Sequence, residues 1–158
     1  MTRLREQKLW DAMRQNFMLA INASTVSCEP LRLRLERVEN MVGDGTPDVL
    51  VLCDGLVTWC ELKAVDALPR RATTRVLGSD GLNWDQRNWH MSWLAAGGRS
   101  LIVIGIGAGR ERMCFAVEGR HGEAVNDMTF GDLTKRAVAM GMGLTFWPHL
   151  LRYLKDKK

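Results

Sequence analysis

The chain opens on a helical pattern. Trp10, Met13, Phe17 and Ile21 recur three or four positions apart, with Arg5, Gln7, Lys8, Asp11 and Arg14 falling largely elsewhere, which predicts an amphipathic helix over residues 3–22 with Thr2 as its cap. The period then shortens to two: Leu31, Leu33 and Leu35 face one way and Arg32, Arg34 and Glu36 the other, a half-buried strand over 31–38. A Gly43-Asp44-Gly45 turn leads to Val49–Cys53, too short for most helices and rich in strand formers. Asp54-Gly55 suits a two-residue hairpin, with Leu56–Lys63 as the return strand. Ala67 to Leu82 has no periodicity and reads as a loop. A helix over 83–96 stops at Gly97-Gly98, Ser100–Ile106 is a buried strand, and Met113–Val117 returns from the turn at Gly107–Arg110. A helix near Phe130–Met140 and another from about Pro148 to Leu154 finish the pattern. The expected fold is α/β: one domain over residues 1–158, with a central mixed sheet flanked by helices.

The hairpin permits a geometric deduction. With Asp54-Gly55 as the loop, Cys53 pairs with Leu56 and Asp48 falls opposite Glu61, side chains on one face with Cβ atoms about 4.5–5.5 Å apart. The period of two puts Lys63 on that face as well, diagonal to Asp48. Two facing carboxylates repel unless something neutralises them, and a hard divalent cation such as Mg²⁺ does so with oxygen ligands. Leu50, Leu52, Val57 and Trp59 share the face, so the acidic pair is expected beside a packed core. The plainer alternative is that Asp48 caps a turn while Glu61 and Lys63 line a solvated strand edge.

Composition narrows the classes of function without choosing one. A chain of 158 residues with 46% hydrophobic and 25% charged side chains has the make-up of an ordinary globular domain and needs no disulfide or structural metal to fold. Cys28, Cys53, Cys60 and Cys114 form no CxxC pair and no zinc-like cluster with histidine. No secretory h-region and no apolar run of spanning length is present, so a cytoplasmic setting and no membrane partner are expected. Basic side chains exceed acidic ones by 22 to 18, and eight arginines fall in short groups, at 32, 34 and 37, at 70, 71 and 75, and at 110 and 112. Such clusters suit a polyanion, though a slight basic excess also serves solubility. No Ser/His/Asp or Cys/His arrangement is legible, and the glycines at 105, 107 and 109 lack phosphate-loop spacing and precede a strand.

Gly45-Thr46-Pro47-Asp48, twelve intervening residues, then Glu61-Leu62-Lys63, resembles the signature of the PD-(D/E)XK nuclease superfamily, whose core is restriction-endonuclease-like. It is most similar to small Holliday-junction-resolvase-like and VRR-NUC-type domains, over the stretch from the first helix to about residue 106. The resemblance implies a metal-dependent endonuclease acting on branched or structured DNA. A nickase or end-processing exonuclease of the same superfamily, or a non-catalytic DNA-binding or assembly module, are the alternatives. By the same resemblance Asp48 and Glu61 would hold Mg²⁺ or Mn²⁺ with the backbone carbonyl of Leu62. Lys63 would orient or activate the attacking water and stabilise charge on the phosphate. Glu6 would be the further acidic residue from the first helix, and Gln86 the glutamine of the helix that follows.

Glu6 also lies on the inward stripe with Trp10 and Met13, although a first-turn Glu can merely favour the helix dipole. On the later helix Gln86, His90 and Trp93 share a face. His90 is expected as a satisfied buried histidine, and Trp84, Trp89 and Trp93 as core rather than as base-stacking platforms. Arg70, Arg71 and Arg75 are expected on a mobile loop beside the site, gripping phosphates. A small chain of this type suits a phage or mobile element. A homodimer is expected, since a four-way junction has two symmetric scissile strands and Phe146, Trp147, Leu150, Leu151 and Leu154 are numerous enough to cover a partner as well as their own core. They would alternatively just pack on the sheet.

Overall fold

The computed structural model describes residues 2–24, 30–38 and 45–156. The expected turn residues Gly43 and Asp44, and Cys28, lie outside them. The Asp54-Gly55 turn sets the geometry of the rest. Asp54 has φ 47° and Gly55 φ 87°, the two left-handed residues of a type I′ turn, whose twist matches that of the strands it joins. Strands β2 (Val49–Cys53) and β3 (Leu56–Val65) run antiparallel from it, with Cys53 opposite Leu56 and Val49 opposite Cys60, as the sequence predicts. Strand β1 (Leu33–Arg37) adds to the free edge of β2.

Beyond β3 the chain crosses through α2 (Trp84–Ala95) to β4 (Ser100–Ile106), which lies parallel to β3. The antiparallel strands β5 (Met113–Glu118) and β6 (Ala139–Met142) complete a six-stranded mixed sheet in the order β1-β2-β3-β4-β5-β6. The remaining helices are α1 (Thr2–Ser24), α3 (Phe130–Arg136) and α4 (Phe146–Lys155).

Period-two alternation divides the core between the two faces of the sheet. On one face Val49, Val51, Cys60, Leu62, Leu101 and Val103 meet Leu9, Met13 and Phe17 of α1 and Phe146, Leu150 and Leu154 of α4. On the other, Ile102, Ile104, Ile106 and Val117 meet Leu133 of α3 and the loop residues Val76, Leu77 and Leu82. The apolar face expected around the acidic pair is only partly covered. Leu52 and Val57 are 39% and 42% exposed, because no helix lies over the outer half of β2–β3.

Two further expectations need correction. The helix expected near Phe130–Met140 stops at Arg136, where Ala137 turns to extended backbone, and Ala139–Met142 becomes an edge strand on β5. Ala and Met are good helix formers, and pairing with the otherwise open edge of β5 overrides that preference. The apolar residues of α4 are also fully used: Phe146, Trp147, Leu150, Leu151 and Leu154 are all buried against the sheet and α1, so they leave no surplus to cover a partner. No helix among the described residues is long and apolar enough to cross a membrane.

If α4 is structural, Leu150→Ala lowers stability by about 2–5 kcal/mol in urea unfolding, and sedimentation gives the same oligomeric state as the unmutated chain. A changed oligomeric state at unchanged stability would show α4 to be an interface.

Candidate active site

The ladder between β2 and β3 runs out at Pro47. Residues flanking a two-residue turn form a hydrogen-bonded pair, and such pairs recur at every second residue, so continuing the register past Val49–Cys60 sets Leu62 opposite Pro47. Proline has no N–H to give, so this last rung lacks a donor to the Leu62 carbonyl. The Leu62 N–H goes instead to the side chain of Asp48, whose Oδ2 accepts it at 2.9 Å. Asp48 thus takes the place of a backbone acceptor and is held at the strand end, while the Leu62 carbonyl points to the same edge.

Glu61 and Lys63 lie on the face of β3 turned toward α2, and both are buried. The Lys63 ammonium sits 3.0 Å from Glu61 Oε1 and 3.8 Å from Glu6 Oε1. Glu6 therefore reaches the site from the first turns of α1, as its place on the inward stripe predicts. Gln86 closes the group from α2, its Nε2 donating to Glu61 Oε1 at 2.5 Å. The same amide starts the helix: Gln86 Oε1 accepts the Asn83 backbone N–H at 3.1 Å, and Asn83 Oδ1 accepts the Gln86 N–H at 2.8 Å, a complete capping box. The Asn-x-x-Gln spacing that makes this box is a local signal in the sequence. Gly45 admits the turn before Asp48 to this helix start. It has φ 84°, and a Cβ there would lie 2.4 Å from the Asp85 carbonyl oxygen, so only glycine allows the contact.

The group is rich in carboxylates, and Glu61 and Lys63 at its centre are buried. Burial raises the Glu61 pKa, and the Asp48 charge raises it further, so that despite Lys63 it moves from 4.5 to about 8. Burial also raises Asp48, against the lowering effect of the Leu62 hydrogen bond, and raises Glu6 against the pull of Lys63. For Lys63, burial favours the neutral amine, but Glu61, Glu6 and Asp48 together outweigh it and the net shift is upward. Burial is the main cause of the three carboxylate shifts, and the neighbouring carboxylates are the cause of the Lys63 shift. Among the described residues, Glu61 Oε2 and Glu6 Oε1 are buried with no hydrogen-bond partner, the latter 3.8 Å from the Lys63 ammonium.

An orphaned carboxylate oxygen in a buried site calls for a proton or a cation. Asp48, Glu61 and the Leu62 carbonyl offer hard oxygen donors of the kind Mg²⁺ takes alongside water. The donor set therefore fits a divalent ion, although among the described residues no three Asp, Glu, His or Cys side chains gather into a ready cage.

Two expectations on α2 are corrected here. His90 is buried, but only its Nδ1 is partnered, by Ser100 Oγ at 2.9 Å, while Nε2 has no hydrogen-bond partner. Burial and the Lys63 charge push its pKa down to about 4, so the ring is neutral at physiological pH. Trp84 is not core: it is 67% exposed. Trp89 and Trp93 are half-buried and stack at 5.2 Å between centroids, with Trp59 edge-on to both.

The segment carrying Arg70, Arg71 and Arg75 is clasped at its base. Arg5, next to Glu6 in the chain, lies 3.0 Å from Asp66 and 3.5 Å from Asp80, one acid at either end of the segment. Val76 and Leu77 are buried, the Val76 N–H bonds the Met128 carbonyl, and Arg75 bridges to Thr129 and pairs with Asp127 at 3.0 Å. The expected mobile loop is thus pinned along its second half. Arg70 and Arg71 are exposed on the first half, whereas Arg75 already has an acidic partner.

No family model matches the sequence, and no curated protein matches it. The structure is similar to that of Hjc, a Holliday junction resolvase from the archaeal hyperthermophile Archaeoglobus fulgidus. The TM-score is 0.51 at 10% identity, covering 89% of this chain and 97% of that one. The likeness is one of fold: a mixed α/β sheet flanked by helices.

The raised Glu61 pKa gives the metal-free protein a signature in its pH-dependent stability. Between about pH 4.5 and 8 the folded state holds a proton that the unfolded state has released, so stability falls as pH rises through that window. In EDTA, Glu61→Gln should melt at a higher temperature than the unmutated protein near pH 8, with the gap closing toward pH 5. Added Mg²⁺ should raise the melting temperature of the unmutated chain more at pH 8 than at pH 6, and that of the variant little. A pH-independent gap would show that Glu61 is ionised throughout.

Proposed function

We propose that this chain is a metal-dependent deoxyribonuclease that hydrolyses phosphodiester bonds in branched DNA. The observation that carries this reading is the buried Glu61–Lys63 pair, with Glu61 Oε2 left without a protein partner on the fold of a junction-resolving enzyme. A structural ion pair would have its lone pairs satisfied. This one is half satisfied, beside a second carboxylate and the end of a ladder.

In this reading Asp48, Glu61 and the Leu62 carbonyl hold Mg²⁺ or Mn²⁺. When bound, the ion supplies charge neutralisation on the phosphate and a more acidic water. The chain's own residues do the rest. Gln86 and Lys63 bond Glu61 Oε1 and fix the rotamer of Glu61, so that its buried Oε2 stays available to the ion. Lys63 is held in its ammonium form by the surrounding carboxylates, so its work is charge stabilisation rather than proton abstraction. It donates toward the non-bridging phosphate oxygens, where negative charge gathers as the water oxygen bonds to phosphorus and the bond to the 3′ oxygen breaks. The attacking water gives up its proton to solvent and the departing 3′ oxygen takes one from solvent, so the products are a 5′-phosphate and a 3′-hydroxyl. His90, neutral and behind the site, takes no part in this transfer. Since a four-way junction presents two scissile strands and each chain one site, a homodimer is the form that would cut both, through a surface other than α4.

Lys63→Ala should reduce cleavage of a four-way junction by about 10²–10³-fold while affinity measured in EDTA changes little, and EDTA should abolish cleavage by the unmutated protein. Activity surviving either treatment rejects the mechanism.

Arg70 and Arg71 are proposed to contact phosphates. Replacing both with Ala should weaken binding on all DNA sequences and flatten the slope of log affinity against log salt by about one to two units. Arg75→Ala should do less, because Asp127 already neutralises it. An unchanged slope in the double variant would place the DNA path elsewhere.

A further inference from the structure

Trp84 is the largest apolar side chain that the fold leaves in water. It is 67% exposed and makes no ring contact, whereas Trp59, Trp89 and Trp93 meet one another and Trp10, at 9% exposed, lies in the core. An indole in that position contributes nothing to the hydrophobic core. Its backbone is nevertheless among the most constrained in the molecule. Asn83 before it caps α2, Gly45 brings the Pro47–Asp48 turn into contact with Asp85 after it, and Gln86 two positions on bonds Glu61. The indole is therefore an exposed aromatic surface on a constrained backbone, within one helical turn of the residue that bonds the carboxylate at the centre of the site.

We infer that Trp84 is a base-stacking residue that selects DNA with an open base face, at a branch point or strand end, over continuous duplex. The inference rests on the reading of the site as a DNA-cleaving centre. In a continuous duplex each base is covered above and below by its neighbours, so an indole must unstack a step to gain a contact. Where the helix is interrupted, one π-face is free and the indole covers it at little cost. Stacking of this kind tolerates every base, which suits recognition of DNA shape without recognition of sequence. Because Trp84 and Glu61 are joined through Gln86, the stacked base also fixes the distance from branch point to scissile phosphate. Trp84 thereby sets the position of the cut as well as the choice of substrate.

The test compares the unmutated full-length chain with Trp84→Ala and Trp84→Phe, binding a four-way junction and a linear duplex of the same sequences in EDTA. A junction carrying 2-aminopurine at the branch point reports stacking directly. Trp84→Ala should lower the ratio of junction to duplex affinity by about 10- to 100-fold, relieve the quenching of 2-aminopurine, and scatter the cut positions when Mg²⁺ is added. Trp84→Phe should recover most of all three. An unchanged affinity ratio and unchanged quenching in Trp84→Ala overturn the inference while leaving the nuclease reading intact. So does a loss of junction affinity that accompanies loss of a dimer in sedimentation, which would place Trp84 in an interface between copies. Absence of Mg²⁺-dependent cleavage by the unmutated chain defeats the nuclease reading itself.

Discussion

Register between β2 and β3 is the constraint on which the site depends. A type I′ turn at Asp54-Gly55 admits one pairing, and a slip of one residue would turn every side chain of one strand to the opposite face. The correct pairing does two things together. It sends Val49, Val51, Cys60 and Leu62 into the core under α1 and α4, and it turns Glu61 and Lys63 to the other face at the point where Pro47 ends the ladder. The hydrophobic demand of the core therefore fixes the position of the charged residues, and neither can move without the other.

The charged residues exact a cost that the rest of the site is arranged to limit. A buried carboxylate beside two others is unfavourable, and the upward pKa shifts of Glu6, Asp48 and Glu61 are that cost expressed as proton affinity. Lys63, Gln86 and the Leu62 N–H each offset part of it by bonding one oxygen. The remainder, concentrated on Glu61 Oε2, has no compensating hydrogen bond among the described residues. Arg5, one residue from Glu6, pairs with Asp66 and Asp80 and so anchors the loop, while its charge also offsets part of the rise at Glu6.

Much of this was legible in the sequence, for a local reason. The hairpin, the phase of Asp48, Glu61 and Lys63, and the inward stripe holding Glu6 follow from periodicity and turn chemistry within short windows. What was not legible depended on contacts distant in the chain. Strand β6 forms because β5 has a free edge, against the helical preference of Ala and Met. The exposure of Trp84 and the half-satisfied state of His90 depend on how α2 lies across the sheet, and helical spacing alone cannot set that angle. The surplus expected at α4 vanished because α1 and the sheet together enclose all of its apolar face. The helix over 83–96 was legible as well, since its Asn83 cap and its stop before Gly97-Gly98 are local signals.

Gln86 illustrates how narrowly such a site can specify a side chain. Its carbonyl end accepts from the helix start and its amino end donates to Glu61, so the position requires an acceptor and a donor on one planar group, facing opposite ways. Glutamate has only acceptors when ionised, lysine only donors, and asparagine is one methylene shorter. The amide is thus oriented by its two neighbours, with no freedom to flip, and the alphabet of side chains that meets both demands contracts to one. A mutational scan of this helix would be expected to find broad tolerance at its outer positions and almost none at this one, for reasons of polarity and reach rather than of size.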